Sequence, residues 1–238
     1  MRDSITPGTS SDSVVPSPTR RAKAEPRWQR RKQARPAELL SAALAVFVER
    51  GFALTRLEDV AARAGVAKGT VYLYYSSKEE LFKAVVRDGL SAPLAEARDL
   101  LATSNESSVA LLTRILRYWR TQFRNSPVAA LPKLIITEAG NFPELVEFYI
   151  NEIDGPRQQL METLIRRGIE RGEFASLPVA ETARYLSAPM LLLALFENPH
   201  GGISPPGFDG ETYFENALVL LLKALAPVEG TMNPGSPK

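Results

Sequence analysis

From Pro36 onward the apolar residues recur at helical spacing almost throughout the chain. One face of the first such segment carries apolar residues at positions i, i+3, i+4 and i+7, namely Leu40, Ala43, Leu44 and Phe47. No stretch shows sustained alternation of apolar and polar residues, the pattern of a half-buried strand. The sequence therefore predicts an all-α protein, and 238 residues, of which 45% are hydrophobic, can bury a substantial core in one or two domains.

Helix-start and helix-stop signals divide the first part of this region into short helices. Pro36 suits a helix start, and Gly51 suits the left-handed position that ends a helix. Thr55, followed three residues later by Glu58, has the spacing of a capping box. We therefore expect Thr55 to be the N-cap of a second helix of about three turns that stops at Gly65.

The stretch "GVAKGTVYLYYSSKEEL", residues 65–81, follows directly. It predicts a tight turn, a helix over residues 68–75 and another capping box made by Ser77 and Glu80. Two short helices joined by a turn that contains glycine form a helix-turn-helix, in which the second helix is the candidate reader of a DNA major groove.

The faces of this second helix predict different roles for its side chains. At 100° per residue, Val71 and Tyr75 share a face that should pack against the first two helices. Gly69 and Leu73 point the opposite way. The remaining positions of interest are Thr70 and Tyr72, which flank the outward face, and Tyr74, at the margin of the buried one. Tyr72 and Tyr74 can keep their rings against protein while each hydroxyl reaches a phosphate.

Positive charge is concentrated in the first 36 residues. They hold nine Arg or Lys residues against three acidic ones, which gives +6; because the net charge of the chain is +2, the remainder carries −4. This segment has too few apolar residues to fold alone, so we expect a disordered arm over residues 1–34. The arm is either a solvated tail or a segment that binds nucleic acid. In the second case we expect it to contact phosphates through Arg30, Arg31, Lys32 and Arg35.

A longer run of residues resembles the DNA-binding domain of the tetracycline-repressor (TetR) family. Its pattern joins an "AA..F...G" first helix, a Thr-capped "D.A..AGV" second helix and a "G..Y.YF.SKE.L" third and fourth helix. The matching residues within 35–90 are Ala42, Ala43, Phe47, Gly51, Thr55, Asp59, Ala61, Ala64, Gly65, Val66, Gly69, Tyr72, Tyr74, Ser77, Lys78, Glu79 and Leu81.

The resemblance implies both a domain layout and a set of operator contacts. The layout is a helix-turn-helix domain over 35–82 with a fourth helix that continues to about residue 102, a helical effector-binding and dimerisation domain over 83–226, and a disordered tail over 227–238. The implied contacts are Lys68, Thr70, Tyr72, Tyr74 and Lys78, and we also expect Thr55, Arg56, Gly69 and Leu73 at the DNA.

Two residues depart from the family pattern. Ala67 stands where a serine is common, so the recognition helix lacks a side-chain N-cap worth typically ~1 kcal/mol. Tyr75 replaces the more usual phenylalanine, and its hydroxyl needs a partner if it is buried. Residues 37–80 hold five basic and six acidic side chains, so we expect the arm to supply the positive charge that DNA binding requires.

The rest of the chain predicts about six further helices. Residues 131–149, "LPKLIITEAGNFPELVEFY", resemble an AefR-like subgroup of the family. Trp119, Phe123 and Tyr149 are candidates to line an effector pocket, although aromatic residues at helical spacing also occur in ordinary cores. We expect a small-molecule effector of unknown identity, and no cofactor.

The last two helical segments are apolar on nearly every side. The helix at the end of a small domain can turn only one face to its own core, so we expect a homodimer in which two helices from each subunit form a four-helix bundle. The predicted interface residues are Leu193, Phe196, Phe214, Leu218 and Leu221. The alternative is that both helices are central within the monomer, and Pro189 is expected to kink the first of them.

Other functional classes have less support. The chain has no cysteine, and its one histidine, His200, lies in a loop rich in Gly and Pro, so it lacks the residues for a thiolate site, a histidine metal cluster or a cysteine–histidine pair, and we expect no enzyme. The longest nearly uncharged apolar run, "APMLLLALF", is too short to span a bilayer, and the N-terminus has no apolar signal region, which predicts a cytoplasmic protein without membrane contact.

Two functions remain open. The first is a transcriptional regulator, a repressor released from a palindromic double-stranded DNA operator by a small molecule; repressor rather than activator rests on family tendency. The second is a helical small-molecule-binding or protein-interaction module that does not bind an operator.

Overall fold

The structure, a computed structural model, describes residues 27–124, 126–197 and 204–227, with side chains from residue 36 onward. The predicted phosphate contacts of Arg30, Arg31, Lys32 and Arg35, the tail over 228–238 and His200 lie outside the described side chains. Within the described ranges every regular element is helical, and this confirms the all-α prediction.

Ten α-helices follow one another along the described chain. The first four are α1 (Arg27–Leu54), α2 (Leu57–Arg63), α3 (Lys68–Tyr72) and α4 (Lys78–Thr103). The others are α5 (Ser108–Phe123), α6 (Leu131–Glu138), α7 (Pro143–Tyr149), α8 (Gly155–Glu170), α9 (Val179–Phe196) and α10 (Gly210–Leu225). A 3₁₀ turn (Pro127–Ala130) precedes α6, and a π-helical turn (Ile150–Asp154) joins α7 to α8.

Helix α1 differs from the expectation at its start. It begins at Arg27, so residues 27–34 are helical rather than disordered, and Pro36 lies inside the helix rather than at its start. The segment "RWQRRKQA" consists mainly of residues with high helix propensity, so it forms a helix despite its concentration of charge. At the other end Gly51 interrupts the helix with φ 80° and ψ 163°, a conformation that favours glycine, although it is not the left-handed helical one expected.

The start of α2 also differs from the prediction. Arg56, not Thr55, is the N-cap, and the Asp59 carboxylate accepts the Arg56 N–H at 3.0 Å. Thr55 is only 2% exposed, and its hydroxyl donates to the Gly51 carbonyl at 2.7 Å. The hydroxyl therefore satisfies a carbonyl freed at the break in α1, and the predicted DNA contact of Thr55 is wrong because the side chain is buried.

The second predicted cap lies at the start of α4. The Ser77 hydroxyl accepts the Glu80 N–H at 3.2 Å, as predicted. The Glu80 carboxylate accepts the N–H of Ser76, at 3.0 Å, rather than that of Ser77. Helix α4 runs on to Thr103, one residue past the expected end.

Two hydrophobic cores organise residues 36–227, and they do not divide at residue 82. The first core joins α1, α2, α3 and the first half of α4 to α6 and α7, with Ile135 and Phe148 among its members. The second core joins the rest of α4 to α5, α8, α9 and α10. Helix α4 contributes Leu90 to the first core and Leu94 to the second, so one continuous helix belongs to both.

Helix α9 is long and apolar enough, by length and composition alone, to cross a membrane. Core helices of soluble proteins satisfy the same test, and here Ala183, Leu186 and Leu193 of α9 are buried in the second core.

Candidate DNA-reading surface and effector cavity

Helix α3 buries one face and exposes the other, as its periodicity predicts. Two hydrogen bonds continue the helical turn beyond Tyr72: Leu73 N–H donates to the Gly69 carbonyl at 3.2 Å, and Tyr75 N–H to that of Val71 at 3.0 Å. Val71 is fully buried, whereas Leu73 is 84% exposed. Leu73 therefore has the exposure that a side chain needs to reach a base edge.

The three tyrosines of this segment lie in different environments. Tyr72 and Tyr74 are exposed, and Tyr75 is half-buried against the first core. Burial raises the pKa of Tyr75, and the nearby Asp88 carboxylate raises it further. Tyr75 thus contributes to packing, while Tyr72 and Tyr74 are accessible from outside.

Gly69 and Thr70 lie on the same turn. Gly69 is exposed, and a Cβ atom placed on it would meet nothing within 4 Å. Packing within the described residues therefore does not require glycine here. Thr70 is half-buried beside it.

Lys68 begins α3 and pairs with a residue of α2. Its ammonium group forms an ion pair with the Glu58 carboxylate and lies 5.6 Å from the centre of the Tyr72 ring. The hydrogen bond raises the pKa of Lys68 and lowers that of Glu58. Lys68 is at the expected surface, but a DNA phosphate would have to compete with Glu58 for its ammonium group.

Lys78 is engaged within the protein, unlike the free phosphate contact expected from the sequence. Its Nζ donates to the carbonyls of Phe52, at 2.8 Å, and Ala53, at 3.1 Å. The same atom lies 4.4 Å from the ring centre of Phe52 and 5.7 Å from that of Phe142. These carbonyls follow the break at Gly51 and lie at the end of α1, where Lys78 supplements the single 3.3 Å hydrogen bond that the Phe52 carbonyl accepts from the Thr55 N–H.

The other basic residues near α2 are mostly paired with acids of the same domain. Arg50 pairs with Asp59 and Arg63 with Glu49, each at 2.7 Å. Arg56 is exposed and has no ion pair within 4 Å among the described residues. Its guanidinium is therefore a better candidate for a phosphate contact than those of Arg50 and Arg63.

A cavity of about 360 Å³ lies where the two hydrophobic cores meet. Its volume is within the range of small-molecule sites. The three aromatic residues proposed from the sequence, Trp119, Phe123 and Tyr149, all line it. Helix α4 crosses the wall at Leu90 and Leu94, and α6 contributes Ile135 and Ile136.

Two ion pairs lie in the mainly apolar lining, which also includes Arg124, Ser126 and Ser187. Arg120 is 5% exposed, and its guanidinium is held by Glu197 at the end of α9, with Nη2 to Oε1 at 2.8 Å. Asp154 pairs with Arg157 in another part of the wall. Burial raises the pKa of the Tyr149 phenol, while Arg157 acts in the opposite direction. The cavity thus offers a large apolar surface with polar groups in fixed places.

The predicted dimer residues are mostly buried within the monomer. Leu193, Phe214 and Leu218 belong to the second core, and Phe196 and Leu221 are half-buried. The prediction is wrong for the three buried residues, because a sequence that is apolar on all sides does not show which side meets its own core, while Phe196 and Leu221 stay predictions. The exposed apolar side chains of the two helices include Tyr185, Ala188, Leu191, Val219 and Leu220.

Glu138 makes a contact with the end of α1 that the sequence did not predict. Oε1 of Glu138, the last residue of α6, accepts the N–H groups of Phe52, at 2.8 Å, and Ala53, at 3.2 Å. These partners are 86 and 85 residues away in the chain, so no local motif indicates the contact.

Comparison with known proteins agrees with this arrangement. The family model described as bacterial regulatory proteins, tetR family, matches residues 39–85, and the one described as tetracyclin repressor-like, C-terminal domain, matches residues 105–201. The uncharacterized HTH-type transcriptional regulator YfiR of Bacillus subtilis (strain 168) is 32% identical over 167 residues, which cover 65% of this chain and 75% of that protein.

Two further similarities extend over most of the chain. The HTH-type transcriptional repressor KstR2 of Rhodococcus jostii is 24% identical over 82% of this chain and 93% of that protein. The crystal structure of the regulator FadR from Bacillus subtilis, in complex with stearoyl-CoA, has a TM-score of 0.63 at 19% identity and covers 79% of this chain and 98% of that one. The two reported relatives are named as transcriptional regulators rather than as enzymes. The chain belongs to the tetR family of bacterial regulatory proteins, and it is a helix-turn-helix transcriptional regulator.

Proposed function

We propose that this regulator is a cytoplasmic, homodimeric repressor that leaves a palindromic operator when a small amphipathic molecule occupies the cavity between its two cores. The observation that carries the proposal is the joint presence of an exposed reading surface on α3 and a cavity in contact with the helix that follows it. The name of the similar protein KstR2 includes the word repressor, which supports repression rather than activation.

The proposed DNA contacts divide between phosphates and bases. Lys68, Arg56 and the basic residues of the first 36 positions act on phosphates, whose charge dominates affinity. Leu73 reaches a base edge such as a thymine methyl, and Thr70 lies close enough on the same turn to do likewise. The exposed Gly69 lets the DNA backbone approach closely, which would explain a residue that costs about 1 kcal/mol in a helix relative to alanine.

The proposed dimer uses the exposed rather than the buried faces of α9 and α10. Tyr185 and Ala188 lie three residues apart on α9, and Val219 and Leu220 of α10 are 49% and 66% exposed. Covering these side chains with the same surface of a second copy would remove apolar area from water and form a bundle of four helices. Two-fold symmetry of the protein would then match a palindromic operator.

The proposed effector is mainly apolar and carries at least one polar group. Apolar side chains form most of the cavity wall, and the Arg120–Glu197 and Asp154–Arg157 pairs provide the polar positions. The similar fold of FadR holds stearoyl-CoA, which is a large amphipathic ligand. Movement of α4, which belongs to both cores, would change the spacing of the two recognition helices of a dimer.

Selection of binding sites from a random pool of duplex DNA by the full chain tests the proposal. We expect a palindrome with half-sites about one helical turn or more apart. A gel shift on DNA that flanks the coding sequence then shows whether the selected site occurs there. If no sequence is enriched and the chain binds duplex DNA no better than a protein of equal charge, it is instead a helical small-molecule-binding or protein-interaction module.

A further inference from the structure

The segment that follows the break in α1 is held from two sides. The carboxylate of Glu138 accepts the N–H groups of Phe52 and Ala53, and Nζ of Lys78 donates to the carbonyls of the same two residues. The rings of Phe52 and Phe142, the residue before α7, pack edge to face with their centres 4.7 Å apart. Residues 52 and 53 are thus fixed by groups from α4, α6 and the start of α7.

Gly51 makes the close approach of Glu138 possible. A Cβ atom at position 51 would lie 2.9 Å from Glu138 Oε1, and the φ of 80° is one that side chains rarely adopt. The carboxylate thus meets the two N–H groups that directly follow the break in α1. Gly51 and Glu138 therefore form one structural unit, although they are 87 positions apart.

Helix α6 connects this unit with the effector cavity. Pro132, Ile135 and Ile136 line the cavity, and Glu138 follows two residues later at the end of the same short helix. A rigid helix transmits a displacement from one end to the other. Lengthening the 2.8 Å bond to Phe52 by about 1 Å would take it beyond hydrogen-bonding distance.

The other end of the unit leads to the DNA-reading helices. Thr55 donates to the carbonyl of Gly51, and α2 begins at Leu57, which is buried in the first core. Helix α2 in turn contacts α3 and bears Glu58, the partner of Lys68. A change at residues 51–53 therefore acts on the base of the helix-turn-helix.

We infer that Glu138 is the positioning residue through which occupation of the cavity acts on the DNA-reading helices, and this inference rests on the proposed function. With the cavity empty, the carboxylate holds residues 52 and 53 and keeps α2 and α3 in the DNA-binding arrangement. With the cavity filled, α6 moves and the two hydrogen bonds are lost. Lys78 then holds the segment from α4 alone.

A double-mutant cycle on the full chain tests this inference without knowledge of the natural effector. Ala194, which lines the cavity from α9, is replaced by Trp so that the side chain fills the space, and Glu138 is replaced by Ala. Affinity for the selected operator is measured for the wild type, both single variants and the double variant. Ile136→Trp provides a second filled cavity if Ala194→Trp does not fold, and Glu144→Ala is the matched control on an exposed carboxylate of α7.

We expect Ala194→Trp to weaken operator binding about tenfold or more in the wild-type and Glu144→Ala backgrounds, within the usual range of allosteric coupling. In the Glu138→Ala background the same filling should change the affinity less than about twofold. An equal loss in both backgrounds would overturn the role of Glu138 while leaving the proposed function in place. Absence of operator binding, or no effect of filling in the wild type, would refute the proposed function and the inference with it.

Amide hydrogen exchange provides a second readout. We expect the N–H groups of Phe52 and Ala53 to exchange about tenfold faster or more in the folded Ala194→Trp variant than in the wild type, because loss of the Glu138 bonds exposes them. Unchanged exchange at these two amides, together with weakened operator binding, would show that the signal takes another route.

Discussion

The Glu58 carboxylate on α2 and the Lys68 ammonium on α3 form an ion pair across the surface proposed to face DNA. An acid thus holds the first cation of the recognition helix. The pKa of Glu58 is lowered, so the pair persists above the usual value of 4.5 and is lost only as the pH falls through the lowered value.

Replacing Glu58 with Gln should therefore strengthen DNA binding. Lys68 is then free to contact a phosphate, and one repulsive charge is removed. We expect tighter binding to all duplex sequences and a salt dependence that is steeper by about one phosphate contact. Titrations at several salt concentrations measure this, with Glu96→Gln on α4 as a charge-matched control. Identical salt slopes in Glu58→Gln and the control would contradict a role of Lys68 at the phosphates.

Neutralising the basic segment should weaken binding without much effect on sequence preference. In the triple variant Arg30→Gln, Arg31→Gln, Lys32→Gln, residues of good helix propensity are kept and three charges are removed. We expect the slope of log affinity against log salt concentration to fall by about 3 if all three contact phosphates. Unchanged affinity at every salt concentration would mean that these residues are solvated only.

Leu73→Ala should change specificity rather than the salt slope. The side chain is 84% exposed on the outward face of α3, so its removal costs little stability. If it contacts a base edge, preference at one position of each half-site should relax by about 1–3 kcal/mol. Competition between operators that differ at single positions shows the effect, and a specificity profile equal to that of the wild type would remove Leu73 from the reading surface.

Leu220→Glu should produce monomers with weakened operator binding. Leu220 is 66% exposed on α10, so a charge there leaves the monomer core intact but is costly in an apolar interface. Sedimentation at micromolar concentration gives the oligomeric state. Val109→Glu, an exposed apolar position on α5, serves as the control. A Leu220→Glu dimer with full operator affinity would exclude this face as the interface.

Gly168→Ala should destabilise the fold. A Cβ atom at this buried position of α8 would lie far inside contact distance of the Phe174 ring, which is itself buried. Overpacking of this kind costs about 1–3 kcal/mol. Chemical denaturation compares it with Gly140→Ala, where a Cβ atom meets nothing within 4 Å. Equal free energies of unfolding for the two variants would show that Phe174 moves aside without cost.

Local patterns in the sequence predicted the structural features that depend only on neighbouring residues, namely helix faces and helix caps. The inward side of Val71, the outward side of Leu73 and the cap at Ser77 all follow from helical spacing and capping chemistry. The predicted start of α2 is one residue too early, because the Thr55 hydroxyl donates to the Gly51 carbonyl at the break in α1 and does not cap α2.

Contacts between distant parts of the chain could not be predicted in the same way. Lys78 looks like a surface cation in the sequence, yet two backbone carbonyls and two aromatic rings surround its ammonium group. The sequence likewise did not show which faces of α9 and α10 point inward. Leu218 and Leu220 are equally apolar, and only tertiary packing buries Leu218 and leaves Leu220 exposed.

The membership of α6 and α7 in the first core has a practical consequence for protein engineering. A chimeric regulator that takes residues 35–82 from this chain and the remainder from another relative would replace Ile135 and Phe148 with residues that are not matched to the apolar surface that these two cover. A reading module that retains its own packing would therefore be a discontinuous graft, made of α1 to the middle of α4 together with α6 and α7. Because α6 and α7 also line the effector cavity, a single cut in the chain does not separate the reading module from the sensor.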